Sequence, residues 1–165
     1  MASRWLDRLL IVLFLFTSFM SLVYAPLFVF GCGWHGLTLG ADGPCGASWV
    51  GRAWLGYVQV EPIYRDAPVW LQLVNDRDMF FFSWFYLLSV IVFASKRQDR
   101  PWYRNLATFM AGMMTYAISF YLIWELLTYR ETGAQLASVV IFNGLWLVIF
   151  GLLMLRLYVL RPRAA

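Results

Sequence analysis

Four charge-free apolar runs constrain this chain more than any other feature. Leu9–Phe30 covers 22 residues, Met79–Ser95 17, Asn105–Trp124 20 and Thr132–Leu155 24. A helix of about 20 apolar residues crosses the roughly 30 Å hydrocarbon layer of a bilayer. Inside that layer each backbone polar group must be paired within the protein, which leaves helices and closed barrels. The second run is short, but it lengthens upstream to Pro68, whose missing N–H is harmless in a first helical turn. The pattern predicts an all-α integral membrane four-helix bundle. One domain over 1–165 is expected, with helices at about 9–30, 68–95, 103–128 and 135–160. Composition agrees: 62% of residues are apolar and 13% charged, against about 45–50% and about 25% in soluble domains. A soluble enzyme and a disordered chain are both excluded.

The net charge of +4 is distributed at the ends of the apolar runs. Arg4 and Arg8 precede the first run, Lys96, Arg97, Arg100 and Arg104 fill the link between the second and third, and Arg156, Arg161 and Arg163 close the chain. With alternating spans these clusters fall on one side, so both termini are expected to be cytoplasmic. Nucleic acid is not an expected partner, because the basic residues follow membrane topology and form no basic–aromatic strip. Arg outnumbers Lys twelve to one, a bias that suits a GC-rich bacterial source and hence a bacterial inner (cytoplasmic) membrane. Val23-Tyr24-Ala25 resembles a signal-peptide end, but Pro26 after it and the length of the run argue for a retained helix.

The opposite side holds an outer loop, 31–67, with the only two cysteines, Cys32 and Cys45. A disulfide is permitted there. Free thiols are the alternative, and a metal site with His35, the single histidine, falls short of four ligands. No metal and no cofactor are expected. Trp49, Val50, Ala53, Trp54 and Tyr57 recur at helical spacing, which predicts a short interfacial helix over about 47–57 with its aromatics against lipid or the bundle.

Polar residues at membrane depth are the candidate site. At 1.5 Å per residue, Asp78 lies about 27 Å above Lys96 and Glu125 about 31 Å above Arg104, near the outer boundary. Asp76, Arg77, Glu125 and Arg130 read as a wet rim of charges there, and Asp78 divides between rim and interior. Asn143 and Trp146 share one helix face, about 20 and 15 Å above Arg156. Ser21 and Ser119 fall at similar depths. Phe81, Phe82 and Phe85 on the second helix, with Tyr116 and Phe120 on the third, are candidate walls of an aromatic cavity. The competing reading is ordinary packing with interhelical hydrogen bonds.

Several of these residues recur in a known pattern. Trp54-x-x-Tyr57, Pro68-x-Trp70 and an acid at Asp78 come in that order. Pro101-Trp102-Tyr103-Arg104 with Ala107 follows, then Asn143-Gly144-Leu145-Trp146-Leu147-Val148 with Gly151. Over residues 52–160 the chain resembles the emopamil-binding protein and sigma-2 receptor family (EXPERA-type), as a divergent member. The resemblance implies a cavity for sterol-like or cationic amphiphilic ligands. In isomerase members, acidic groups move a proton across a double bond while a Trp ring faces the carbocation, whose charge the ring quadrupole stabilises. By resemblance, Asp78 takes the place of the family's Glu as the candidate catalytic acid, Asn143 is its polar neighbour and Trp146 the cation-facing ring. The first-helix acid and His of the family are absent from Thr17–Leu22. The expected function is therefore binding of a sterol-like or other apolar lipid or amphiphile in the bundle without full isomerase chemistry. The expected ligand contacts are Asp78, Phe81, Phe82, Phe85, Tyr116, Ser119, Phe120, Asn143 and Trp146. The alternatives are an accessory structural subunit packed against a larger bacterial membrane complex, and a polycyclic-lipid double-bond isomerase. Membrane lipid or a sterol-like molecule is the expected partner, with a homodimer or a larger assembly also open.

Overall fold

A computed structural model describes residues 2–160. Among these the chain is all-helical, and four helices are long and apolar enough to cross a membrane. They are α1 (Arg4–Gly31), α3 (Val69–Ala94), α4 (Pro101–Thr132) and α5 (Leu136–Val159). A cap between α1 and α3 contains α2 (Trp49–Val60) and shorter turns at Gly33–Thr38, Gly40–Asp42, Pro44–Ala47 and Ile63–Asp66. Arg161 and Arg163 of the last basic cluster lie outside the described residues.

Local chemistry sets the helix ends. The Ser48 side chain accepts from the Gly51 N–H at 2.9 Å and starts α2. Pro101 occupies the first turn of α4, and Gly133, at φ 76°, closes it with an N–H bond to the Tyr129 carbonyl at 2.9 Å. Within α1, Pro26 has no N–H to give, and the helix loosens into a π turn over Met20–Tyr24 just before it. A second π turn, Asp78–Phe82, lies opposite on α3, and the two pack together.

Helices α1 and α3 pair along their length, as do α4 and α5. Between the pairs, at the end carrying the N-terminus, lies an aromatic core. Phe14 meets Phe85 edge-on at 6.1 Å, and Phe85 stacks on Phe150 at 6.0 Å and on Tyr103 at 6.3 Å. The Tyr103 hydroxyl donates to Ser89 Oγ at 2.9 Å, which satisfies the one polar atom of that buried ring. A charge cluster closes this end. Arg156, almost fully buried on α5, pairs with Asp7 at the start of α1 and with Asp99 in the α3–α4 link, the latter at 3.3 Å. That contact puts the chain start, the 95–100 link and the end of α5 on one side of the bundle.

The cap closes the other end. Cys32 and Cys45 are paired as a disulfide, with Cα atoms 4.5 Å apart and a sequence separation of 13. Helix α2 differs from an interfacial helix with its aromatics in lipid. Trp54 and Tyr57 turn inward toward the bundle, while Arg52 stays exposed and donates to the Gly46 carbonyl at 3.0 Å. The turn around the disulfide leaves no room at Gly51, where a Cβ would stand 2.6 Å from Cys45 Cα and overlap the Cys45 carbonyl. Gly51→Ala is therefore expected to destabilise the protein by about 1–3 kcal/mol, measured as a lower thermal midpoint in detergent. Gly56→Ala, which meets nothing within 4 Å, is the matched control.

Candidate functional site

The π turns of α1 and α3, the cap and α5 enclose a cavity of about 620 Å³. Drug-sized ligand pockets span about 300–1,000 Å³. One wall is an aromatic cluster. Phe28 of α1 stacks on Trp54 of α2 at 4.3 Å and meets Trp34 edge-on at 4.8 Å, and Tyr64 closes on Trp54 at 5.4 Å. The cluster forms because the disulfide-bonded segment 33–38 and α2 both pack against the end of α1.

The facing wall is polar and comes from α3 and α5. Asp76 accepts the Trp34 indole N–H at 3.0 Å, which fastens the cap to α3. Asn75 donates to the Tyr64 hydroxyl at 3.0 Å. Asp78 opens the π turn, where it accepts from the Tyr86 hydroxyl at 3.3 Å and lies 3.8 Å from Arg77 Nε. The Tyr86 ring in turn stacks on Trp146 at 6.0 Å. Asn143 uses one amide nitrogen twice, donating to the Val139 carbonyl at 2.9 Å and to the Tyr57 hydroxyl at 3.2 Å. Asp78, Asn143 and Trp146 thus line one space. Phe16 and Met20 of α1 and Phe142 and Leu145 of α5 also line the cavity. Phe16, Phe142 and Leu145 are also exposed on the outer face of the bundle.

The other expected wall residues are elsewhere. Phe82 and Phe85 are fully buried in the aromatic core below the cavity. Phe81 turns partly outward against Phe82. Tyr116, 75% exposed, and Phe120, 49% exposed, face away from the bundle, and Ser119 lies outside the lining. The π turn is the reason on α3. One extra residue per turn rotates everything after Asp78 by about 100° relative to a continuous α-helix.

Glu125 is the second correction. It is fully buried and stands in no wet rim, because the cap folds over it and brings Glu61 to its side. Glu61 is also fully buried. It accepts the Tyr57 hydroxyl at Oε2, 2.7 Å away, and the Tyr121 hydroxyl at Oε1. Burial raises the Glu61 carboxyl to about 9, with the Tyr57 hydrogen bond opposing and the neighbouring Glu125 adding to the rise. Burial also lifts Tyr57 and Tyr64 above the ordinary tyrosine value, and Glu61 lifts them further. Sequence reasoning did not single out Glu61. Its signal was the spacing Tyr57-x-x-x-Glu61, one helical turn in an otherwise apolar stretch ended by Pro62.

Comparison with known proteins returns no matching family model, no matching curated protein and no matching solved structure.

The Glu61 environment sets a pH dependence. Folded, Glu61 keeps its proton up to about 9, whereas its ordinary value is 4.5. The unfolded chain therefore releases that proton first, and this group's contribution to stability falls as pH rises through that window. Glu61→Gln keeps the shape and removes the titration. Its thermal midpoint is expected to gain on the native protein progressively from about pH 5 to about pH 9. Each kcal/mol relieved should appear as about 2–4 °C in a chain of this size. A constant offset across that range would contradict the assignment.

Proposed function

We propose that this chain is an integral membrane protein of emopamil-binding type that takes a sterol-like or other apolar amphiphile into its cavity from the surrounding lipid. The observation that carries the reading is the cavity itself. Nine of its lining residues are aromatic, its polar wall bears Asp76, Asp78, Asn75 and Asn143, and Phe16 of α1 with Phe142 and Leu145 of α5 line it while being exposed on the outer face, where lipid chains would lie. The three positions on which the family resemblance converges, Asp78, Asn143 and Trp146, all line it. A ligand carrying an amine suits this arrangement, since desolvated rings attract a cation and two carboxylates share its wall.

Binding is favoured over isomerisation for a geometric reason. The carboxylates lining the cavity, Asp76 and Asp78, are two residues apart on α3. They stand on one wall, so they do not flank a double bond as an acid and a base on opposite sides would. A second reading, the accessory subunit, draws on the outward-facing Tyr116, Phe120 and Leu127 of α4. Changes there would disturb assembly and leave the cavity intact.

Asp78→Asn is expected to weaken binding of a cationic amphiphile about tenfold, equivalent to about 1.4 kcal/mol, and to leave a neutral sterol unaffected. Leu145→Trp, adding bulk to the lining, should weaken both. Scintillation proximity or tryptophan quenching in nanodiscs reads this out, and unchanged affinity in both variants would favour the subunit reading. For topology we propose cytoplasmic N and C termini in a bacterial inner membrane, from the basic clusters at 4–8, 96–104 and 156–163. A reporter fused after Ala165 should be active only on the cytoplasmic side.

A further inference from the structure

Two fully buried carboxyls meet where the cap rests on α4, and their partners are unequal. Glu61 receives two hydroxyl donors, Tyr57 from its own helix and Tyr121 from α4. Glu125, beside it, has no donor for either oxygen among the described residues. Beyond the pair, Arg77 and Asp78 of α3 line a small space that Tyr64 and Tyr121 also line. Tyr64 comes from the Ile63–Asp66 turn, and Asn143 of α5 acts through Tyr57. No Lys, Arg or His is paired with either carboxyl among the described residues. Two bare carboxylates in contact, out of water and without a cation, repel each other and lack the hydrogen bonds each requires. One proton removes both defects, since it halves the charge and supplies the donor that Glu125 lacks.

We propose that Glu61 and Glu125 form a proton-binding site, and that the proton they share clamps the cap to α4 over the cavity. The two acids titrate as a unit, so the proton belongs to the pair. The rise of the Glu61 carboxyl to about 9 agrees with a proton held at neutral pH. The clamp works because its halves belong to different bodies. Glu125 is anchored in α4, while Glu61 sits at the break between α2 and the Ile63–Asp66 turn. Beside it the Gln135 N–H donates to the Val60 carbonyl at 2.8 Å, the Gln135 side-chain amide to the Gln59 carbonyl at 3.4 Å, and Asn143 to the Tyr57 hydroxyl at 3.2 Å. When the proton leaves, repulsion acts across this seam and moves Glu61 away from α4. Tyr57, one helical turn from Glu61, is a cavity wall, so movement of the cap opens the cavity. This device is independent of what the cavity binds.

The test needs no ligand. Cys32 and Cys45 are paired, so cysteines placed at the exposed Gln59 of the cap and Leu127 of α4 accept nitroxide labels selectively. Infrared titration of the same protein in nanodiscs counts protonated carboxyls. At neutral pH we expect one narrow label-to-label distance and a protonated-carboxyl band that Glu61→Gln/Glu125→Gln abolishes. As pH passes the titration of the pair, the band should disappear and the distance should lengthen and broaden together. Glu61→Gln should hold the short distance throughout. Tyr121→Phe should move the transition to higher pH, because it removes a donor that favours the ionised form. Glu125→Gln should move the titration of the band to lower pH, because it removes the neighbouring negative charge, and should hold the short distance, because no second carboxylate remains to repel Glu61. Absence of the band at neutral pH would overturn the site. With both acids present, a distance that stays fixed while the band titrates would overturn the clamp, as would the same lengthening in Glu61→Gln. If Glu61→Gln does not fold, the opposite band shifts of Tyr121→Phe and Glu125→Gln decide the site, and a distance that lengthens in Glu125→Gln would overturn the clamp.

Discussion

Lipid is as apolar as the inside of this bundle, so burying leucine between helices gains little, and polar contacts and tight ring packing decide which helices stay together. The structure meets that constraint with one buried ionisable cluster at each end. At the terminal end, Arg156 is held between Asp7 and Asp99, tying the end of α5 to the start of α1 and the α3–α4 link. A charged side chain this deep is tolerated only with its partners in place, and removing one partner is strongly destabilising. At the other end the tie is Glu61 against Tyr121 and Glu125, which joins the cap to α4.

Between these ends the bundle changes character. Near the Arg156 cluster, rings from all four long helices interlock. Toward the cap, α1 and α3 each widen into a π turn, and the cavity lies beside these turns. The space lies under the disulfide-bonded cap and is lined by residues of α1, α3 and α5. The cavity is thus a consequence of how the two ends are tied. One end holds the pairs together, and the other substitutes a movable segment for direct helix contact.

The residues around the cavity show which inferences sequence can carry. Asp78, Asn143 and Trp146 were singled out by depth and by pattern, and they share the cavity. Phe82 and Phe85 were assigned to the same space because they follow Asp78 at helical spacing, yet they pack in the core below it. Depth arithmetic gives height along a helix and not rotation about it, and the π turn at Asp78 changes that rotation. Glu125 was placed at a wet rim because its height is that of the boundary. No count of residues along α4 reveals that a segment some 60 positions earlier folds over it.

The sequence by itself determined four helices long and apolar enough to cross a membrane, the all-helical class and the pairing available to two cysteines on one loop. Each follows from composition and spacing along the chain, where the cost of a charge or an unpaired amide in hydrocarbon leaves few alternatives. Tertiary structure alone decided which way the aromatics of α2 face, where the π turns fall, and that Glu61 meets Glu125. These depend on rotations about helix axes and on contacts between distant segments. Both are settled by packing energies too small and too collective to be read from any local stretch of residues.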